Sequence, residues 1–177
     1  MTIAGEYLDT MTRRLKEYKL LGDRTFEQLN DEELHFRPDP EANSIAIIIR
    51  HMHGNMLSRW TNFMSEDGEK PWRRRDDEFE DPATDGASLR QMWNEGWQVF
   101  LEALEQIGEN DLLKTVTIRN QPLTVLDAIN RQVAHYSYHV GQIVYIGRWI
   151  RKSEWKSLSI PKNGSQAFND QMMKTRH

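Results

Sequence analysis

Residues 124–149, TVLDAINRQVAHYSYHVGQIVYIGRW, carry the clearest structural signal in the chain. Apolar side chains recur along this stretch every three or four residues, which is the spacing of one face of an α-helix. Thr124, followed by Asp127 three residues later, is typical of a helix start. At about 1.5 Å per residue such a helix would be roughly 38 Å long, the length of a helix in a bundle. The stretch therefore predicts one long amphipathic helix.

Three further segments show the same helical spacing, at about residues 4–29, 44–64 and 88–107. The second of these helices is expected to begin at Asn43 or Ser44, because both residue types commonly cap helices. Gly108 is expected to end the third, since glycine often follows the last turn of a helix. With the segment at 124–149, these helices are similar in length and predict an all-α fold, a four-helix bundle.

The remaining segments connect or follow the predicted helices. Residues 67–86 form a long charged loop, and residues 115–119 alternate in the manner of a short strand before the fourth helix. Residues 151–177 are a polar C-terminal tail whose few apolar side chains are expected to pack against the bundle. No internal repeat or low-complexity segment interrupts the chain. We therefore expect residues 1–177 to form a single domain.

Composition limits the classes of function. The 23 basic and 27 acidic residues give a net charge of -4, which argues against nucleic acid as the main partner. No run of about 18 apolar residues predicts a membrane span. The first residues lack the basic start and apolar stretch of a signal peptide, so we expect a cytoplasmic protein. The chain contains no cysteine, so that any metal ion would be held by His, Asp or Glu.

Two histidines in the predicted fourth helix have the spacing of metal ligands. His135 and His139 are four residues apart, which places them one turn apart on one helical face with about 5–6 Å between their Cβ atoms. Both rings can then reach a single cation, and Gln142 lies on the same face. Without a third ligand, such a pair more often consists of two surface or interface histidines than of two metal ligands.

A third ligand must come from another helix, and spacing does not choose between His51 and His53 in the second. His53 has apolar helical neighbours and reads equally well as a core histidine. His51 lies on a mixed face beside Gly54, where the missing side chain permits close approach of a neighbouring helix or a ligand. His35, in a loop, and His177, at the terminus, are expected to be exposed bystanders.

Several stretches support a resemblance at this point: SIAIIIRHMHGNM at 44–56, GEKPWR at 68–73, AINRQ at 128–132, HYSYHVGQIV at 135–144 and LSIP at 158–161. Together they resemble the DinB-like superfamily of bacterial four-helix-bundle metalloproteins, which includes the YfiT-like proteins. The likeness covers nearly the whole chain and is closest to a branch filed as a domain of unknown function. The superfamily pattern is one histidine in the second helix and HxxxH in the fourth.

The resemblance implies a divalent metal ion on His51, His135 and His139. It selects His51 over His53 because the family histidine closely follows a stretch that matches residues 44–46 here. Zinc and nickel are the metals we expect, since imidazole suits both. Relatives in the superfamily include transferases that use thiols such as bacillithiol. The resemblance therefore implies a metal-dependent S-transferase acting on a small molecule, and we expect a homodimer.

Two other functions remain open on the sequence. One is a metal-dependent hydrolase, for which the sequence singles out no general base. The other is a non-catalytic metal-binding or stress-response protein that dimerises through aromatic and methionine side chains, which more often fill a core: Trp93, Trp97, Met52 and Met56. The run of arginines at 73–75 can hold carboxylates of a thiol, but a solvated loop paired with the acidic residues at 76–78 is the more common arrangement.

Overall fold

The computed structural model describes residues 2–81 and 83–174, which are mainly α-helical. Their helices are α1 (Ile3–Phe26), α2 (Asp31–Leu34), α3 (Ile45–Trp60), α4 (Gly86–Glu105), α5 (Val125–Arg151) and α6 (Ser165–Lys174). A hairpin of two antiparallel strands, β1 (Thr115–Ile118) and β2 (Gln121–Thr124), precedes α5. These elements confirm the predicted all-α class. Across the described residues, no helix is both long enough and apolar enough to pass through a bilayer.

The four long helices, α1, α3, α4 and α5, form the bundle. Helix α3 packs against α4 and α5, and α1 packs against the same two helices from the other side. Apolar side chains from all four helices meet in one continuous core. Four of the core residues, each no more than 2% exposed, are Met52, Met56, Trp93 and Trp97. These side chains fill the core rather than an interface, so the homodimer stays a prediction.

The starts of the helices follow their capping residues. The Ser44 hydroxyl accepts a hydrogen bond from the backbone N–H of Ile47, and Thr124 accepts one from Asp127, as the sequence predicts. Helix α4 begins two residues before the predicted 88, because Asp85 caps it. Helix α3 ends at Trp60 rather than near 64. Apolar spacing shows which residues can share a face, but the cap decides where the helix begins.

The predicted strand at 115–119 is one half of a hairpin whose second strand the sequence analysis missed. Pro122 reads as a strand breaker, yet it lies in β2 opposite Thr117, next to the pair that closes the turn. In an antiparallel ladder this position exchanges no backbone hydrogen bonds, so a residue without an N–H is tolerated. The turn residues Arg119 and Asn120 have φ of 56° and 57°, as a two-residue hairpin turn requires.

The first part of the tail is hydrogen-bonded to the bundle. The side chain of Gln28 bonds the backbone N–H and carbonyl of Lys156, and Arg24 donates to the carbonyl of Leu158 at 3.1 Å. Beyond these contacts the chain forms α6, a helix that the sequence analysis did not predict. Phe168 in α6 is 43% exposed, so it does not reach the core as expected.

Two helical glycines test this packing. A Cβ on Gly22 in α1 would overlap the indole of Trp93, which a hydrogen bond from its Nε1 to Asp23 holds in place. We expect Gly22→Ala to lower the free energy of unfolding by about 1–3 kcal/mol through overpacking. Gly141 in α5 has no atom within 4 Å of an added Cβ, so Gly141→Ala is expected to raise the free energy of unfolding by about 0.5–1 kcal/mol. Urea unfolding measures both, and equal stabilities would contradict the contact between α1 and α4.

Candidate metal centre

Three histidines converge where α3 faces α5. His51 comes from α3, and His135 and His139 come from consecutive turns of α5. One potential ligand atom of each residue lies within 4.8 Å of the other two, and the ring centroids are 4.8–5.4 Å apart. His51 and His139 are buried, and His135 is partly buried. The structure thus brings together the three residues that the resemblance implies.

Two of the rings are oriented by hydrogen bonds at Nδ1. His51 Nδ1 lies 2.9 Å from Oε2 of Glu78, and His139 Nδ1 lies 2.9 Å from Oε1 of Gln142. Both partners are acceptors, so each Nδ1 carries the proton and donates it. In the neutral form of these rings Nε2 carries a lone pair, which on His51 can accept a hydrogen bond from Nε2 of His135 or bind a metal ion. Histidine ligands in metal sites are commonly oriented in this way.

The spacing of the ring nitrogens and their available lone pairs fit a divalent ion. Nε2 of His51 and Nε2 of His135 are 3.3 Å apart. Two zinc–nitrogen bonds of about 2.0–2.1 Å at a tetrahedral angle put their nitrogens roughly 3.3 Å apart. Nε2 of His139 is buried and has no hydrogen-bond partner among the described residues. A bound cation would satisfy this atom. The ligand atoms of the three histidines lie up to 4.8 Å apart, so at least one ring must rotate toward the others for all three to bind one ion.

Burial keeps two of the three rings neutral. It lowers the pKa of His135 to about 3, and the neighbouring His139 and His51 contribute to the shift. Burial likewise lowers the pKa of His139 to about 4, against a smaller opposing effect of the Gln142 hydrogen bond. Both rings are therefore uncharged at pH 7, which is the form that binds metal ions.

The Glu78 carboxylate fixes His51 from behind and is itself held by Arg73. Nε and Nη2 of Arg73 donate to its two oxygens at 2.8 and 2.9 Å. Burial raises the pKa of Glu78, but the hydrogen bonds from Arg73 and His51 outweigh that effect and leave the pKa below its usual value. The sequence predicts a close approach at Gly54, and the group that approaches is this carboxylate, which an added Cβ would overlap.

A cleft of about 570 Å³, here called the histidine cleft, opens over the three rings. Its wall consists of the histidines, five arginines, Asn55, Phe79, Gln132, Ala134 and Tyr138. The arginines are Arg59, Arg73, Arg75, Arg119 and Arg131. None of the described residues that line the cleft is Asp or Glu. The site is therefore open on one side, and that side is cationic.

A buried polar group beneath the histidine cleft ties α3 to α5. Asn55 Oδ1 accepts hydrogen bonds from Nε2 of Gln132 at 3.0 Å and from the Tyr136 hydroxyl at 3.1 Å. Burial raises the pKa of Tyr136, so its hydroxyl stays protonated and able to donate. This hydrogen-bonded group was not predicted from the sequence. Asn55 and Gln132 lie one helical turn from His51 and His135, and this spacing was the available signal.

The arginine run at 73–75 is not uniformly solvated. The side chain of Arg73 is only 2% exposed because its partner Glu78 is buried with it. Arg75 does follow the expected pattern, with a half-exposed side chain 3.8 Å from Asp76. A run of mixed charge shows that ion pairs are available but not which pair the fold encloses, so the sequence could not single out Arg73.

The other histidines lie outside the cluster. Nε2 of His53 is 3.0 Å from the Glu95 carboxylate on α4, so His53 faces away from α5. His35 is not the exposed bystander that the sequence predicts, because its two ring nitrogens contact Asp81 and the carbonyl of Thr84, each at 2.8 Å. His177 lies outside the described residues.

Two glutamates that contact histidines of α3 allow a matched test. Glu78→Gln leaves the buried guanidinium of Arg73 without its counter-ion, and we expect the metal-free protein to lose about 3 kcal/mol of unfolding free energy. Glu95→Gln alters a pair in which the carboxylate is 54% exposed, so its cost should stay below about 1 kcal/mol. Denaturant unfolding of both variants gives the comparison, and equal losses would show that Glu78 is not a buried partner.

Comparison with known proteins places the chain in a family. No curated protein matches the sequence. Residues 2–164 match the family described as Protein of unknown function (DUF1572). This match contains all three clustered histidines, Glu78 and the five arginines of the histidine cleft. Since it spans most of the 177 residues, the chain belongs to the DUF1572 family.

Proposed function

We propose that this protein is a metal-dependent enzyme that holds one divalent ion, zinc or nickel, on His51, His135 and His139. Its reaction would join a low-molecular-weight thiol, such as bacillithiol, through its sulfur to an electrophilic small molecule. The observation that carries the proposal is the convergence of three imidazoles, one with an unpartnered Nε2, at the base of an open cleft. The proposal groups the chain with the DinB-like metalloproteins.

The donor set supports a catalytic rather than a structural ion. Three neutral ligands leave the double charge of the ion uncompensated, and catalytic zinc sites commonly combine three protein ligands with one open position. An ion held in this way acts as a Lewis acid that lowers the pKa of a thiol or water bound to it. The chain itself keeps His135 and His139 neutral by burial and orients His51 and His139 through Glu78 and Gln142.

The lining of the histidine cleft favours a thiol over water as the nucleophile. Among the described lining residues there is no carboxylate that could act as the general base of a hydrolase. Glu78, the nearest candidate behind the wall, already accepts hydrogen bonds from Arg73 and His51. A thiol ionises far more readily than water, with a pKa of about 8.5. Since the chain has no cysteine, the reacting sulfur must arrive with the cosubstrate.

The transfer balances without an oxidant or a reductant. The thiol gives its proton to solvent through the open side of the histidine cleft. A lone pair of the sulfur forms the new carbon–sulfur bond, and the leaving group of the electrophile departs with the electron pair of the bond that breaks.

Metal content tests the ligand set. Elemental analysis of protein purified without a polyhistidine tag should give about one zinc or nickel per chain. His139→Ala should lose this metal because it removes one of three ligands. His53→Ala should retain it, since His53 contacts Glu95 on the far side of α3. Native protein without metal, or equal loss in both variants, would contradict the proposed site.

Thiol binding tests the reaction class. Calorimetric titration should show bacillithiol binding to the metal-loaded wild-type protein and to His53→Ala, but not to His135→Ala. The S-methylated thiol should bind much more weakly, because its sulfur cannot ionise. Absence of binding in every form would exclude the thiol while leaving the metal site intact.

Activity assays separate the alternatives. With a panel of electrophiles, turnover only in the presence of thiol supports the transferase. Turnover without thiol would support the hydrolase, and no turnover in either condition would favour a non-catalytic metal-binding protein.

A further inference from the structure

The histidine cleft is cationic although the protein as a whole is acidic. The chain carries a net charge of -4, yet five arginines and no described carboxylate line this one cleft. Such a concentration of one charge in a partly enclosed space focuses the local potential and attracts ligands of the opposite sign.

Ion pairs within the protein do not neutralise these arginines. Glu69 accepts hydrogen bonds from Arg59 and Arg119, each at 2.9 Å. Glu78 pairs with Arg73, and the fully exposed Asp76 approaches Arg75 to 3.8 Å. Among the described residues, three carboxylates pair with four of the five arginines, which leaves two positive charges in excess before any cation binds.

One buried donor in the cleft wall is unused. The side chain of Arg73 is 2% exposed, and its Nη1 has no hydrogen-bond partner among the described residues. The nearest carboxylate oxygen, on Glu69, is 4.0 Å away, beyond hydrogen-bond distance. A buried guanidinium N–H without an acceptor costs free energy, which an oxyanion in the cleft would recover.

A second cation lies beside the histidines. Arg131 is exposed, lines the cleft and lies one helical turn before His135 on α5. Within residues 2–81 and 83–174 it forms no ion pair. A third cation, Arg75, lies 5.0 Å above the Phe79 ring, which stacks on His51 with 4.8 Å between ring centroids. The unpaired positive charge therefore lies close to the proposed reaction centre.

We propose that the histidine cleft binds a carboxylate or phosphate group of the small-molecule substrate, with Arg73 and Arg131 as its principal ligands. The inference rests on the proposed function only in assuming that this substrate reacts at the histidine cluster. Arginine suits the role because its charged N–H groups donate strong hydrogen bonds to either oxyanion: Arg131 can offer its planar fork, and Arg73 its unpartnered Nη1. Binding of the group would pair Nη1 of Arg73 and supply Arg131 with a counter-ion.

Titration of metal-free protein tests the inference independently of the metal. The probes are inorganic phosphate, succinate and the neutral analogue succinamide, followed by calorimetry. Phosphate or succinate should bind, whereas succinamide should not. The stronger of the two anions identifies which oxyanion the cleft prefers. No binding of either anion at millimolar concentration would overturn the proposal.

Arginine variants locate the site. Arg131→Ala should weaken anion binding roughly tenfold, as loss of a charged hydrogen bond does. Arg73→Lys keeps the charge but removes the fork, and should also weaken binding. The control is Arg148→Ala, which removes an exposed arginine of the same helix outside the cleft and should leave the affinity unchanged. Equal affinities in Arg131→Ala and Arg148→Ala would overturn the inference.

Failure of the inference and failure of the proposed function give different results. Anion binding that depends on Arg131, in a protein that takes up no metal, would sustain the inference and remove the proposed function. Metal uptake without any anion binding would do the reverse.

Discussion

The Glu78 carboxylate joins the loop between α3 and α4 to helix α3. It accepts hydrogen bonds from His51 on α3 and from two nitrogens of Arg73, and it occupies the space left by the missing side chain of Gly54. These contacts fasten the loop between α3 and α4 onto the bundle and fix the tautomer of His51. They also provide the counter-ion that lets a guanidinium be buried. The orientation of His51 and the burial of Arg73 in the wall of the histidine cleft both depend on this one group.

The features of the fold that the sequence predicts well are local. Helical spacing and a capping hydroxyl define α5, because both arise within a few residues of one another. The same periodicity predicts that His135 and His139 share a face. It cannot select the third ligand, since α3 is buried on almost every side and its apolar pattern marks no single inward face. His51 and His53 are separated by about 200° around such a helix, and only the packing of α3 between α4 and α5 gives them different surroundings.

Features that depend on contacts between residues distant in sequence were not predicted, because the spacing of residues within one segment does not show what that segment packs against. The charged loop contains several possible ion pairs, and the enclosure of Arg73 and Glu78 is decided by Gly54, some twenty residues earlier in the chain. Pro122 reads as the end of a strand until its partner Thr117 shows that the position exchanges no ladder bonds. The hairpin is also held from outside, because the carboxylate of Asp67 accepts the backbone N–H groups of its turn at 2.8 Å. Its stability therefore depends on a residue that precedes it by about fifty positions.

The proposed cation site and the proposed anion site share the histidine cleft. Burial and the surrounding positive charges, including Arg73 and Arg131, disfavour protonation of His135, which keeps its nitrogen available to a metal ion. The same positive charges repel that ion. An oxyanion bound by the arginines reduces the repulsion, so it must raise the affinity for the metal, and by linkage the metal must raise the affinity for the oxyanion by the same factor. A cleft that binds both ions would hold its cation most tightly when an anionic substrate is present, so completion of the proposed reaction centre would be coupled to substrate binding.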